Sequence, residues 1–302
     1  MKLGFLTGNI SDIEKAAQLG FDAVELSADA FGNAMQGELN TERIVEAKTQ
    51  SEKHGVAITA LAYYRLAAGA SSIDAVTTAY ERVFAAAAAL GVHTIASMGG
   101  FDASLDWKGN IQLFADRFGP VAQRAEQHGM RVAVENWMGF GGRVPFKPVN
   151  IGGSPDTWDD MFNAVPSPAL GLEFDPSHLY WQGIDHLRAL REYKDRVYHV
   201  HAKDTEMLPE RRYRGGINGD YFRFRIPGYG EINWTAFISA LNEIGYDSSV
   251  AIEHEDPIYS GERFDEGLVR GRQVLYPLIH PGQQPNHESA FMKDQRVGSR
   301  QS

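Results

Sequence analysis

The sequence predicts a (β/α)8 barrel formed by a single α/β domain. Eight short apolar runs alternate with eight segments of helical periodicity, and no break in composition separates them. Alternating strands and helices favour parallel strands joined by right-handed crossovers, and eight such units over roughly 250 residues are typical of this barrel. Four helices also end at a glycine that leads directly into the next strand, namely Gly20, Gly91, Gly129 and Gly245.

The predicted strands are the eight apolar runs, at residues 2–7, 22–27, 56–63, 93–97, 132–135, 169–174, 197–201 and 249–253. The predicted helices are at residues 10–19, 41–54, 71–90, 110–128, 156–164, 184–193, 234–244 and 262–278. Thr41 and Asn233 are suitable N-caps, and Ser154 followed by Pro155 is a typical helix start. We assign residues 1–280 to the barrel and residues 281–302 to a polar C-terminal tail.

The bulk composition is that of an ordinary globular protein with an acidic balance. Of the 302 residues, 43% are hydrophobic and 23% are charged, and the formal net charge is −10. This balance disfavours nucleic acid or an anionic membrane as the main partner, because phosphate groups require positive charge. The chain has no cysteine, which excludes disulfides and thiolate metal sites. We expect a cytoplasmic protein, because the first apolar run is too short for a signal peptide and no run could span a membrane.

Four successive predicted strands end in a carboxylate or an imidazole. The fifth to eighth strands end, in order, at Glu135, Asp175, His201 and Glu253. Neighbouring barrel strands lie about 4.8 Å apart, so these side chains can converge at the carboxyl end of the barrel, where barrel enzymes carry their active sites. Three carboxylates and one imidazole suit one divalent ion, Mn²⁺ first and Mg²⁺ or Co²⁺ as alternatives, better than a structural zinc.

Other residues near these strand ends could contact a substrate. His178 is placed to hold a substrate oxygen, with a role in a turn as the alternative. Lys203 could orient a substrate hydroxyl or pair with Asp204, and His199 is either a core histidine or a support for a ligand. Four aromatic residues could line one face of a sugar ring or belong to the core: Tyr63, Trp137, Phe140 and Trp181.

The longest predicted loops follow strands rather than helices, at residues 28–39, 138–153 and 205–230. In a barrel, these loops emerge at the face that carries the active site. The third loop is basic in an otherwise acidic chain. It is either a solvated loop or a lid in which Arg223 or Arg225 grips substrate oxygens, with mobility supplied by Gly215, Gly216 and Gly228.

These strand ends resemble those of the xylose-isomerase-like barrel superfamily. The closer resemblance is to its sugar phosphate isomerase/epimerase branch, which includes ketose 3-epimerases and inosose dehydratase. It covers nearly the whole chain, up to about residue 278. The motifs that carry it are Glu135-Asn136-Trp137, Asp175-Pro176-Ser177-His178, His201-Ala202-Lys203-Asp204, Pro227-Gly228-Tyr229-Gly230-Glu231-Ile232 and Ile252-Glu253-His254-Glu255-Asp256.

The resemblance implies one bound divalent ion, often Mn²⁺ in this superfamily, held by Glu135, Asp175, His201 and Glu253. It also implies that the two glutamates transfer the proton in catalysis, and that His178 and a loop arginine hold substrate oxygens. This chain departs from the family at the arginine, because Phe224 stands three residues before the Pro-Gly pair. The predicted substrate contacts are therefore His178, Arg225, Trp137 and Lys203.

Two further branches of the superfamily bear on the function. The abasic-site endonucleases hold three zinc ions through additional histidines after strands two to four and an Asp-x-His pair near the Pro-Gly loop. This chain has Met98 and Phe224-Arg225-Ile226 in those regions, so a trinuclear site is not expected. The chain also resembles lyases acting on 3-keto sugars, among them the large subunits of bacterial C-glycoside deglycosidases, which pair with a small second subunit.

The sequence therefore predicts an enzyme, a metal-dependent sugar isomerase or epimerase in which Glu135 and Glu253 act as acid and base. If a leaving group lies β to the carbanion, the same residues cause elimination, so a lyase acting on 3-keto sugars or 3-keto-C/O-glycosides is the alternative. A non-catalytic sugar-binding barrel is less expected, because a scaffold has no need for all four ligands. The expected partners are a small sugar, further copies of the chain and, in the lyase alternative, a small second subunit.

Overall fold

A computed structural model describes residues 1–65, 72–139, 148–218 and 220–282 of the chain. Its centre is a closed barrel of eight parallel strands, which confirms the predicted fold. The barrel strands are β1 (Lys2–Thr7), β2 (Ala23–Ser27), β3 (Ala57–Tyr63), β4 (Thr94–Ser97), β5 (Arg131–Glu135), β6 (Leu170–Phe174), β7 (Val197–Ala202) and β10 (Ser249–Ile252). A separate antiparallel pair consists of β8 (Asp204–Met207) and β9 (Phe222–Arg225).

Helices connect the strands, and the longer ones pack on the outside of the barrel. In chain order they are α1 (Asp12–Leu19), α2 (Thr41–His54), α3 (Ile73–Leu90), α4 (Trp107–His128), α5 (Pro155–Ala164), α6 (Pro176–Tyr180), α7 (His186–Glu192), α8 (Pro209–Gly215), α9 (Trp234–Glu243) and α10 (Phe264–Ile279). Four of the turns into strands use a left-handed glycine, as predicted, with φ of +78° at Gly20, +73° at Gly91, +64° at Gly129 and +73° at Gly245. A side chain on these residues would be strained in that conformation.

Some predicted element boundaries were wrong. α2 is capped by Asn40, whose side chain accepts a backbone hydrogen bond, and Thr41 is already helical. α4 begins at Trp107 rather than at residue 110, because the Asp106 side chain caps it. Neither α6 nor the β8–β9 hairpin was predicted. Two predicted helix starts are confirmed, at Pro155 for α5 and at Asn233 for α9.

The positions of α6 and the hairpin matter for the site. They directly follow β6 and β7, so both lie at the carboxyl end of the barrel. None of the helices in the described part of the chain has the length and apolarity that a bilayer crossing demands. Phe140, much of the predicted loop 138–153 and the tail beyond residue 282 lie outside the described residues.

Candidate metal centre and its cavity

The four predicted metal ligands converge at the carboxyl end of the barrel. Each residue offers one ligand atom, a carboxylate oxygen or an imidazole nitrogen, and these four atoms all lie within 4.8 Å of one another. Three of the side chains are buried and the one at position 253 is partly buried. β5 ends at Glu135 and β7 contains His201, while Asp175 and Glu253 follow β6 and β10 directly. We call these four residues the outer cluster.

Hydrogen bonds between the ends of β5 and β6 hold this part of the site in place. The Asn136 side chain donates to the Asp175 carbonyl at 2.8 Å and accepts from the Asp175 N–H at 2.7 Å. Asp175 Oδ1 accepts from the N–H of Ser177 in α6 at 2.8 Å. Its other oxygen, Oδ2, is buried and has no hydrogen-bond partner among the described residues.

The buried atoms of the outer cluster fit a divalent cation. His201 Nδ1 lies 3.0 Å from Glu253 Oε2 and 3.7 Å from Glu135 Oε1, yet it makes no hydrogen bond among the described residues. Buried polar atoms without partners cost about 1–3 kcal/mol each. A cation between these atoms and Asp175 Oδ2 removes that cost, and oxygen-rich sets with one imidazole suit divalent ions.

The charges of the outer cluster depend on one another. Burial raises the pKa of Glu253, but the charges of Lys203 and His201 outweigh burial and lower it. Burial and the nearby Glu253 also oppose ionisation of Glu135, yet the neighbouring imidazoles of His178 and His201 outweigh them and lower the pKa of Glu135. Burial lowers the pKa of His201, but the surrounding carboxylates raise it well above its usual value. A metal ion must therefore displace a proton from His201.

Lys203 is a fully buried cation at the edge of the outer cluster. Its Nζ lies 2.6 Å from Glu253 Oε2, 3.0 Å from Glu255 Oε2 and 3.3 Å from Asp175 Oδ2. The same atom lies 4.5 Å from the centre of the Phe224 ring. Burial opposes the ammonium charge, but the carboxylates raise the pKa of Lys203 well above its usual value. Lys203 is therefore charged.

A cavity of about 160 Å³ adjoins the outer cluster. Its lining combines ionisable groups with an apolar wall and consists of Met98, Glu135, Trp137, His178, Lys203, Phe224, Glu253 and Glu255. His178 Nε2 lies 3.5 Å from Glu135 Oε1 and 3.4 Å from Asp175 Oδ2, and neither ring nitrogen makes a hydrogen bond among the described residues. The Phe224 ring packs edge-on against His178 with a centroid distance of 5.2 Å.

Asp204 anchors the hairpin that forms one side of the cavity. Its buried carboxylate accepts four hydrogen bonds at 2.8–3.0 Å, from the backbone N–H groups of Thr205, Gly228 and Ile232 and from the indole N–H of Trp234. The alternative that Lys203 pairs with Asp204 is therefore wrong, because the two side chains have different partners.

The structure does not bring Arg225 to the cavity. Its guanidinium donates to Asp256 at 2.8 Å and also pairs with Glu206. Arg223 makes two hydrogen bonds to the same Glu206 carboxylate, at 2.7 and 2.9 Å. The predicted substrate contact at Arg225 has no counterpart in the described lining, because both arginines are used to hold the hairpin. Phe224, which lies between them in sequence, is the hairpin residue that lines the cavity.

The predicted aromatic wall is only partly present. Trp137 lines the cavity as expected. Tyr63 is buried and packs edge-on against Tyr80 at 5.3 Å, so it belongs to the core. Trp181 is stacked on Phe222 at 4.7 Å and is not part of the described cavity lining.

A second buried cluster lies one layer deeper in the barrel. Glu25 on β2, Glu173 on β6 and His199 on β7 meet the side of the His201 ring that faces away from the outer cluster. Glu173 and His199 precede outer-cluster residues by two positions, which places them about 7 Å deeper on the same strand faces. Tyr64 donates to Glu173 at 2.8 Å. We call Glu25, Tyr64, Glu173 and His199 the inner cluster.

The two glutamates of the inner cluster differ in charge. Burial raises the pKa of Glu173 well above its usual value. Burial acts in the same direction on Glu25, but the charges of His199 and His201 outweigh it and lower the pKa of Glu25. Glu25 is therefore the ionised member of the pair.

Sequence reasoning missed Glu25, Glu173 and Tyr64, although the sequence contains a relevant pattern. The two glutamates stand inside apolar strands rather than at their ends, in Val-Glu-Leu and Leu-Glu-Phe. A charged group inside a barrel wall requires a buried partner. Of the two predicted alternatives for His199, support of a ligand agrees with its contact to Glu25, which also contacts His201.

The sequence matches the family described as the xylose isomerase-like TIM barrel over residues 13–278. The chain belongs to this family. Among curated relatives, inosose dehydratase from Histophilus somni (strain 129Pt) is 28% identical over 176 residues, which are 54% of this chain and 54% of that protein. The chain spans about half the length of the curated relatives it matches.

Solved structures of the same fold cover more of this xylose isomerase-like chain. The IolI protein with a binding zinc atom superposes with a TM-score of 0.71 at 19% identity, covering 92% of this chain and 98% of that one. D-Psicose 3-epimerase with D-tagatose, from Clostridium cellulolyticum H10, superposes with a TM-score of 0.66 at 19% identity, covering 92% and 99%. At these identities the likeness shows the fold alone.

Proposed function

We propose that this chain is a divalent-metal-dependent sugar isomerase or epimerase that moves a proton on a carbon next to a carbonyl group. The observation that carries the proposal is the outer cluster, in which two glutamates and a donor set for a metal ion adjoin one cavity. A structural relative named D-psicose 3-epimerase and a sequence relative named inosose dehydratase support a sugar or polyol as the substrate.

Glu135 and Glu253 are the proposed acid and base. They approach the cavity from β5 and β10, which are separated in the barrel by β6 and β7. One carboxylate can remove a proton from the substrate carbon, and the other can return a proton at the opposite face or at a neighbouring carbon. Their lowered pKa values favour the ionised form of each group, so either can act as the base, and the other must take up a proton before it acts as the acid. A divalent ion, Mn²⁺ in our proposal, supplies Lewis-acid polarisation of the carbonyl group when bound there.

The other cavity residues would bind and orient the sugar. His178 has two buried ring nitrogens without hydrogen bonds among the described residues, so substrate hydroxyl groups can satisfy them. Lys203 holds Glu253 in its ionised form, while Trp137 and Phe224 offer apolar surface to the ring carbons. No guanidinium faces the cavity within its described lining. We therefore propose a neutral sugar rather than a sugar phosphate.

A lyase is the second candidate, and the similarity to inosose dehydratase favours it. Proton removal would begin in the same way. The electron pair of the broken C–H bond would then form a C=C bond as the β-carbon–oxygen bond breaks, and the leaving oxygen would take a proton from the protonated glutamate and depart as water or an alcohol. A 3-keto-glycoside would release its aglycone by this route, with a small second subunit as the proposed partner.

A glutamine at position 253 tests the catalytic proposal. We expect Glu253→Gln to lower kcat/KM by about 10²–10⁴-fold, because it removes a general acid–base group. Glu262→Gln, the same change on the exposed surface, is the matched control and keeps wild-type turnover. Full turnover and full metal content in Glu253→Gln would show that the assignment is wrong. Wild-type protein that binds no divalent ion under any loading condition would refute the metal site itself.

Turnover in D₂O separates the isomerase from the lyase. The metal-loaded protein is incubated with free ketoses, with inososes and with 3-keto-glycosides, and the products are followed by NMR. Deuterium at the carbon next to the carbonyl, together with an isomeric sugar, is expected. Release of water or aglycone without any isomeric sugar would assign the lyase instead.

The remaining proposals concern the setting of the enzyme. We propose a cytoplasmic homo-oligomer whose main partner is its small substrate, and the net charge of −10 supports the absence of a nucleic-acid partner. Light scattering of the purified chain measures the oligomeric state, and a monomer at micromolar concentration would contradict this part.

A further inference from the structure

His201 belongs to the outer cluster and also lies directly against the inner cluster. Its Nδ1 faces the outer cluster, 3.0 Å from Glu253 Oε2. Its Nε2 faces the inner cluster, 2.8 Å from Glu25 Oε2 and 3.0 Å from Glu173 Oε1. A neutral imidazole carries one proton, so the partner of one ring nitrogen decides whether the other nitrogen offers a lone pair.

The contacts of Glu25 set it apart from the other glutamate in the inner cluster. Glu25 Oε2 lies 2.8 Å from the Nε2 atoms of both His199 and His201. A carboxylate only accepts hydrogen bonds, so both of these nitrogens must be N–H donors. Glu173 instead accepts from Tyr64 through Oε2 at 2.8 Å, and its Oε1 accepts no hydrogen bond among the described residues. Both glutamates are fully buried.

We propose that Glu25 is a positioning residue that holds His201 in the tautomer with its proton on Nε2, so that Nδ1 presents a lone pair to the metal ion. This inference rests on the proposed function, because it requires a metal ion in the outer cluster. Carboxylates that orient metal-binding histidines in this way typically contribute about 10–100-fold to metal affinity. Glu25 is on β2, so a strand outside the outer cluster would control its affinity.

Two substitutions at position 25 test the proposal in the full-length protein. Glu25→Gln removes the charge with little change in shape, and Glu25→Met removes both acceptor atoms with a side chain of similar length. We expect Mn²⁺ affinity, measured by equilibrium dialysis, to fall about 10-fold in the first and about 100-fold in the second. Glu173→Gln, the matched change in the same layer, is expected to alter the affinity less than threefold. Circular dichroism confirms folding, and Glu25→Gln alone suffices if Glu25→Met does not fold.

The His201 tautomer is a second measurement that a purely structural role would not change. Long-range ¹H–¹⁵N spectra of the Zn²⁺-loaded protein should show a proton on Nε2 in the wild type and a loss of that hydrogen-bonded signal in Glu25→Met. If the wild type binds Mn²⁺ and both Glu25 variants bind it with the same affinity, the positioning role is overturned and the proposed function is left intact. No binding by the wild type would refute the proposed function itself. Two metal equivalents, of which Glu25→Gln loses one, would show that the inner cluster is itself a metal site and overturn the inference.

Discussion

Asp175 uses its two carboxylate oxygens for different purposes. Oδ1 accepts the N–H of Ser177 and so fixes the start of α6. Oδ2 accepts no hydrogen bond among the described residues and lies 3.3 Å from Lys203 Nζ and 3.4 Å from His178 Nε2. A substitution that keeps an acceptor at Oδ1 and replaces Oδ2 therefore separates the structural role of Asp175 from its proposed metal-binding role.

We predict that Asp175→Asn folds but loses most of its stabilisation by metal. The amide oxygen can still accept from Ser177, whereas an NH₂ group replaces the proposed metal-binding oxygen. In the wild type, Mn²⁺ at 100 times its dissociation constant should add about 2.7 kcal/mol of stability. Thermal unfolding with and without Mn²⁺ measures the difference. Glu255→Gln, at the exposed edge of the cavity, should keep the wild-type increase, and an equal increase in Asp175→Asn would contradict this ligand assignment.

His186 makes the stability of the protein depend on pH. Burial lowers the pKa of this imidazole, and the charges of Asp185 and Asp204 only partly oppose that effect. Because the folded-state pKa lies below the unfolded value of about 6.5, protonation favours the unfolded state. The stability that neutral His186 contributes is complete above about pH 6.5 and is lost as the pH falls through the folded-state pKa of His186.

We therefore predict that His186→Gln reduces the loss of stability between pH 7 and pH 5. Urea unfolding of the metal-free protein at both pH values measures that loss. His93→Gln changes an exposed histidine and serves as the control with the wild-type pH dependence. The same loss in His186→Gln and in the wild type would show that His186 does not contribute.

At the scale of elements, the β8–β9 hairpin is held at the end where β8 begins and β9 finishes. Asp204 is the first residue of β8, which pairs with β9 from Asp204 opposite Arg225 to Met207 opposite Phe222. Gly228 lies just after β9, with φ of +88°, and a Cβ there would lie 2.6 Å from the Val274 side chain. Gly228 therefore serves a fixed turn and a close contact, which differs from the hinge expected for a mobile lid.

We predict that Asp204→Asn lowers the free energy of unfolding by about 2 kcal/mol or more. Each carboxylate oxygen accepts two N–H groups, so either orientation of the amide places its NH₂ against two donors. Urea denaturation measures the change, and Asp247→Asn on the exposed surface should remain within about 0.5 kcal/mol of the wild type. A neutral effect of Asp204→Asn would mean that the hairpin does not depend on this anchor.

For the whole molecule, the critical step is the closure of the barrel between its first and last strands. β1 pairs with β10 from Lys2 opposite Ser249 to Phe5 opposite Ile252. Arg272 in α10 reinforces this closure by donating to the Gly20 carbonyl at the end of α1, at 2.6 Å. These contacts join segments about 250 residues apart, so their loop-closure entropy makes them slow to form.

We predict that Arg272→Met lowers the free energy of unfolding by about 1–2 kcal/mol. The substitution keeps apolar contact but leaves the Gly20 carbonyl without its charged donor. Arg188→Met is the matched control, because the Arg188 side chain is 81% exposed and its ion pair with Glu192 spans 3.8 Å. Denaturant unfolding should place the control within about 0.5 kcal/mol of the wild type. Equal effects of the two changes would show that burial of Arg272 adds nothing to closure.

The sequence by itself determined the barrel and the membership of the outer cluster. Helical and apolar periodicities are local properties, so they specify eight strand–helix units before any long-range contact is known. In a parallel barrel, all strands end on the same face. The ionisable residues Glu135, Asp175, His201 and Glu253 stand at or just after strand ends, and their convergence follows from that single rule.

Only the tertiary structure decided how the side chains pair across the barrel and which hairpin residue reaches the cavity. Glu25 and His201 are 176 residues apart, and no local pattern states that their side chains meet inside the barrel. The side chains of a strand alternate between its two faces, so a shift of one residue in β9 exchanges Phe224 with Arg225. The sequence placed the arginine in the site, but the ion pairs with Glu206 and Asp256 hold it away and Phe224 lines the cavity. Register and partner choice depend on long-range packing and charge pairing, which local sequence does not encode.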